Sequence, residues 1–214
     1  MGGIRGLSTE KKSNTGRMYC LLARLLHQRV MTKSKTGSFY LTETVTLPAA
    51  TASGDRVQGS IDLGAYVNVP TGQAIAVESV DFVYQVSSDY GSDPANMLQG
   101  NGSLGAQLTD LNPGTAFVRA DNQSLIASAS LSIDQANNIA SHVSDLYPDN
   151  HGPAALSEAF LVVNDQMYLV AGPDAAVTNA GTAVYVTARI KCRVVKLSTK
   201  DWMAIAIQST AADN

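Results

Sequence analysis

The chain has 214 residues, 45% of them hydrophobic and only 15% charged, with a formal net charge of −3. That length holds one domain with an appendage or two small domains, and a body of roughly 170 residues buries about 70% of what its unfolded chain exposes, so no staples are required. Two cysteines, Cys20 and Cys192, make neither a disulfide framework nor a paired metal motif, and no run approaches the roughly eighteen apolar residues of a membrane span.

Charge is distributed unevenly along the chain. Residues 1–40 carry eight cations (Arg5, Lys11, Lys12, Arg17, Arg24, Arg29, Lys33, Lys35) against Glu10, a net of +7, while the remainder carries −10. A basic leader on an acidic body points to nucleic acid or an anionic membrane. A solubilising tail, or a start upstream of Met18 or Met31, is the blander account. Residues 1–17 are rich in Gly, Ser, Lys, Asn and Thr and predict a mobile segment. Residues 18–30 predict about three helical turns, with Leu21, Leu22, Leu25 and Leu26 on one side and Arg24 and Arg29 away from them. The apolar stretch is too short and too interrupted for a secretory signal, and an organelle transit peptide is a minor reading.

From Phe39 the period becomes two. Phe39, Leu41, Val45 and Leu47 alternate with Tyr40, Thr42, Thr44 and Thr46. A second strand is expected where Ile61, Leu63, Ala65, Val67 and Val69 alternate with polar residues. In a third, Ile75 and Val77 are followed by Val80, Phe82, Tyr84 and Val86. The three-residue step predicts a β-bulge near Glu78-Ser79. Residues 87–114 read as a long loop holding at most a short strand, and 115–118 as a candidate strand. Leu125, Ala127, Ala129, Leu131 and Ile133 alternate cleanly. Ile139, Val143, Leu146 and Tyr147 then recur at helical spacing, with Asp134 as a cap and Pro148 as a stop, so a helix is expected in a connection between strands.

Residues 160–163 and 167–170 flank Asn164-Asp165-Gln166, a three-residue hairpin candidate. Residues 182–198 carry the longest strand signal, with Val184, Val186, Ala188, Ile190, Cys192 and Val194 on one face. Arg189, Lys191 and Arg193 share the other face with Tyr185 and Thr187, and Lys196 and Lys200 continue the basic stripe. A short helix from Thr199 carries Trp202 and Ile205. Seven or eight short strands with one inserted helix argue for an antiparallel sandwich. Periodicity leaves a jelly roll and an immunoglobulin-like sandwich equally open, although no Cys–Trp–Cys pattern is present.

Chemistry is sparse. His27, His142 and His151 form no metal-binding pattern. No nucleophile elbow, phosphate-binding loop or dinucleotide fingerprint occurs. Asp89, Asp93, Asp145 and Asp149 read as turn formers rather than as a calcium loop. Asn101-Gly102-Ser103 and Asn122-Gln123-Ser124 match a glycosylation acceptor that is frequent by chance. No catalytic residue, metal site, cofactor or small-molecule substrate is expected. Two cationic features remain, the leader and the stripe. The stripe is open to two readings: a solvated or aggregation-blunting strand face, or a surface matched to a neighbouring subunit's acids or to phosphates.

The leader through Lys35, the strand Phe39–Leu47, and residues 61–86 and 182–197 together resemble single jelly-roll viral capsid proteins in layout. The resemblance implies an all-β, antiparallel sandwich of jelly-roll type with one inserted helix. It divides the chain into an extended basic arm (1–37), a sandwich (38–200) and a C-terminal short helix and tail (201–214). It implies a virion location and a shell built from copies of this chain, with or without a second coat protein. In it the arm faces the interior, touching genome, an inner membrane or neighbouring subunits. This arm is less Arg-dense than many genome-packaging coats and contains the apolar 18–26 segment. A surface or adhesin-type sandwich that binds glycans or forms filaments is the alternative.

Overall fold

The computed structural model describes residues 33–145 and 159–211. The expected helix at 18–30 and the leader cations Arg5, Lys11, Lys12, Arg17, Arg24 and Arg29 lie outside them, as do His27 and His151.

Among the described residues, twelve strands and one α-helix follow in chain order: β1 (Lys33–Ser34), β2 (Phe39–Leu47), β3 (Val57–Asp62), β4 (Gln73–Val86), β5 (Leu98–Gln99), β6 (Gly102–Thr109), β7 (Leu125–Asp134), β8 (Ile139–Asp145), β9 (Phe160–Val162), β10 (Gln166–Asp174), β11 (Val177–Thr178), β12 (Val184–Lys196) and α1 (Thr199–Ala211). One sheet runs β2-β12-β4-β9, with β1 beside the far end of β12. The facing sheet runs β3-β10-β6-β7-β8, and every pairing is antiparallel. Set aside the two-residue strands and β8, and number the remaining eight strands in chain order. The sheets then read 1-8-3-6 and 2-7-4-5. In this numbering every connection except that between the fourth and fifth strands, β6 and β7, crosses from one layer to the other, and this double Greek key is the jelly roll. The strand order excludes the immunoglobulin-like alternative.

Alternation explains the core. Val45, Leu47, Val80, Phe82, Val184, Val186, Ala188 and Ile190 point inward from the first sheet, and Leu104, Leu108, Leu131, Met167 and Leu169 from the second. The bulge falls where the three-residue step in apolar spacing put it. Lys191 pairs with Ser79 and Cys192 with Val77, which leaves Glu78 as the extra residue.

Several expectations are corrected. The inserted helix does not form over 139–145, which is strand β8, paired along β7, while Leu146, Tyr147 and Pro148 at its expected end lie outside the described residues. Ile139 and Val143 are four apart, and an even interval suits one face of a strand as well as a helix. The turn decides between them. Asn138 adopts φ 54°, and the Asp134 carboxylate accepts from Asn137 N (3.3 Å) and Nδ2 (2.6 Å). The expected helix cap therefore closes a hairpin turn. The second strand sits earlier than its alternation suggests. The chain turns after Asp62, whose carboxylate accepts from Gly64 N at 2.8 Å, and Leu63 still reaches the core.

Residues 102–109, expected as loop, form central strand β6, while 115–118 forms no strand. The hairpin at 164–166 is instead a corner between layers, because β9 pairs with β4 and β10 with β3 and β6.

Candidate assembly surface and basic corner

The outward face of the first sheet is built by the residues that alternate away from the core. Strand β2 contributes exposed Tyr40, Thr42, Thr44 and Thr46, and β12 contributes Tyr185, Thr187, Arg189, Lys191 and Arg193. Cross-strand pairs order this face. Thr44 and Thr187 share a 2.8 Å hydroxyl–hydroxyl hydrogen bond. The Arg189 guanidinium lies 5.3 Å from the Tyr40 ring centre, and in register Arg189 stands opposite Asp81. Tyr90 stacks on Tyr185 with ring centres 5.9 Å apart. The result is a face of hydroxyls and aromatic rings around Tyr40, Thr44, Tyr185 and Thr187, continued along β12 by Arg189, Lys191 and Arg193 with Asp81 opposite Arg189.

The bulge places an acid beneath the stripe. Glu78 is only 6% exposed, yet its carboxylate accepts from Ser38 Oγ (2.9 Å), pairs with Arg193 Nε, and lies 3.6 Å from Lys191 Nζ. Desolvation without a partner would be costly for such an acid, so the two cations and the hydroxyl are what allow its burial. The buried Cys192 thiol is pushed up to about 12, first by burial and then by the nearby Glu78 charge, so it is an inert core residue. Sequence reasoning placed the cations on one face but missed Glu78 as their partner; the break in apolar spacing at 77–80 was the available signal.

The rest of the basic stripe lies at the end of β12. Lys196 pairs in register with Lys33, and Lys200 follows in the first turn of α1, whose cap is Ser198 (Asp201 N to Ser198 Oγ, 3.2 Å). Lys33, Lys35, Lys196 and Lys200 are all exposed. The structure thus divides the predicted stripe into Arg189, Lys191 and Arg193, which have partners within the chain, and an end cluster that joins the root of the leader.

On the second sheet, Gly105 and Gly172 pair across β6 and β10, and the space above them is taken by Phe117 and Arg56. The Phe117 ring lies over Gly105, and Arg56 stacks on it at 4.3 Å and pairs with Asp174 at 2.7 Å. The β7–β8 hairpin and the turn at Pro94–Asn96 bound a cleft of about 430 Å³, buttressed by Gln135, which donates to Ala95 O (3.1 Å) and accepts from Gly100 N (2.8 Å). His142 lies on β8 with its ring edge-on to Tyr84 at 5.7 Å, and burial raises the Tyr84 hydroxyl above its usual range. Among the described residues no three His, Cys, Asp or Glu gather as a metal site. Asp89 and Asp93 hold their own turns, their carboxylates accepting from Gly91 N (2.8 Å) and Ala95 N (3.1 Å).

No protein-family model and no curated protein matches this chain. Among solved structures it is similar to Merkel cell polyomavirus VP1 in complex with GD1a oligosaccharide, at 11% identity and a TM-score of 0.39, over 79% of this chain and 100% of that one. It is also similar to desmodium yellow mottle tymovirus, at 7% identity and a TM-score of 0.29, over 92% and 97% of the two chains. Turnip yellow mosaic virus gives 10% identity and a TM-score of 0.29, over 78% and 86%. The chain's own strand order makes it a jelly roll.

Proposed function

We propose that this chain is a non-enzymatic capsid subunit that self-assembles into a virion shell, alone or beside a second coat protein, with its basic arm turned to the interior. The observation that carries the reading is a complete jelly roll entered, through β1 and β2, from a leader of strongly opposite charge. The part of the outer face rich in hydroxyls and aromatic rings, around Tyr40, Thr44, Tyr185 and Thr187, suits burial against copies, since charges are depleted from interface cores. Arg189 and the hydroxyl ladder around Thr44 and Thr187 are its proposed intersubunit contacts, and closed symmetry multiplies a modest pairwise contact into a stable shell.

The test is negative-stain microscopy of the purified full chain, with closed shells of uniform diameter as the expected result. Monomers at high concentration, or fibres, would overturn the reading and favour the adhesin-type alternative. Interior contact through the arm is tested by removing residues 1–32, which carry six of the leader's cations. If the arm binds nucleic acid, the log–log salt slope of single-stranded oligonucleotide affinity flattens by about 4. An unchanged slope removes that role.

A further inference from the structure

The end cluster of the stripe has a different character from its middle. Lys191 and Arg193 are matched by Glu78. Lys33, Lys35, Lys196 and Lys200 meet no carboxylate among the described residues. Lys33 and Lys196 are direct cross-strand partners, and Lys35 follows just past β1, its backbone N–H donating to Val194 O at 2.9 Å. Like charges directly opposite one another are unfavourable in a sheet, so this pair is stabilised by any anion that settles between the two ammonium groups.

Next to the lysines in the chain stands a second, independent feature. Helix α1 is half-buried along Asp201, Trp202, Ile205 and Ala206, and exposed along Lys200, Met203, Ala204 and Ile207. Residues at this spacing form a single stripe on a helix. Met203 is 52% and Ile207 63% exposed, so the stripe is apolar and begins at a lysine. A nucleic acid would satisfy the lysines and leave the apolar stripe in water. An anionic bilayer surface satisfies both, because apolar side chains enter the headgroup boundary while lysines lie against the phosphates. No helix among the described residues is long and apolar enough to cross a membrane, so the contact is peripheral.

We propose that this corner of the body, Lys33, Lys35, Lys196 and Lys200 with Met203 and Ile207, is a docking surface for an anionic lipid bilayer. The proposal rests on the reading that the leader-bearing end faces the particle interior, and it assigns that end a lipid partner.

Trp202 is the chain's single tryptophan, so its emission reports on α1 and not on the leader. The full chain is mixed with phosphatidylcholine vesicles with and without phosphatidylserine, some carrying brominated acyl chains. The expected result is a blue shift and bromine quenching with the anionic vesicles alone. K196Q/K200Q weakens vesicle binding about 25-fold at low salt, some fivefold per lysine, and M203S/I207S abolishes the emission change. Vesicle binding with unchanged Trp202 emission would overturn the proposal, since the leader alone would then be the anchor. So would K196Q/K200Q weakening oligonucleotide binding while vesicle binding holds, or an emission shift that follows protein concentration without vesicles. Shells scored by microscopy separate the two readings. Shells without a lipid response sink this proposal alone, and a lipid response without shells sinks the capsid reading alone.

Discussion

Replacing Glu78 with glutamine keeps the side chain's shape and removes the charge beneath Lys191 and Arg193. Breaking a fully buried ion pair by neutralising one partner costs about 3–5 kcal/mol, because the other charge is left uncompensated. Here the acid is buried but the cations are not. The Lys191 side chain is 42% exposed and that of Arg193 24%, so both recover part of their hydration. The expected loss is therefore about 2 kcal/mol, below the buried-pair range and above the median for surface pairs. In a chain of this size that lowers the thermal midpoint by about 4–8 °C. Urea denaturation of the unassembled protein measures it, with the midpoint moving and the m-value unchanged. R193Q in the E78Q background should cost less than R193Q alone, the signature of direct coupling. A loss of under about 0.5 kcal/mol would refute the reasoning, by showing that the acid is hydrated and the bulge is not a charge sink.

Two further outcomes follow from geometry described above. A methyl group at Gly172 would stand 2.2 Å from the Asp55 backbone oxygen, so Gly172→Ala should cost at least the 1–3 kcal/mol typical of overpacking, read from the same urea curves. Glu43 faces inward from β2, and burial raises its carboxyl above the ordinary 4.5. A raised folded-state value means that the native state holds the proton more tightly, so the contribution is present below pH 4.5 and is lost as pH rises through the raised value. Glu43→Gln should therefore raise the urea midpoint at pH 7 and leave it nearly unchanged at pH 4. An equal change at both would assign the effect to packing.

Strands with one wet and one dry face were legible because alternation is written into them, as in Phe39–Leu47, Leu125–Asp134 and Val184–Lys196. Strand β6 was hidden because its outward positions hold Gly and Gln. Leu104, Ala106 and Leu108 do alternate, but Gly105 reads as loop until the Phe117 ring that lies over it is known. Hairpin β7–β8 was hidden because an interval of four serves both periods. The corner at 164–166 was beyond local reading, since strands on either side of a short turn look alike whether they pair or part. In the candidate surface, periodicity placed the cations correctly, but the difference between those with a partner and those without depends on which acid the neighbouring strand supplies.

The supernumerary residue in β4 has an evolutionary consequence. A single-residue deletion within a strand ordinarily turns every following side chain inside out. Removing Glu78 would do the opposite, because Val77 would then be followed by an outward Ser79 and an inward Val80, in step with Cys192, Lys191 and Ile190. At this site alone among the positions of β4, the lineage could gain or shed a codon without disturbing the hydrophobic interior, and what would change is the electrostatics of the outer skin.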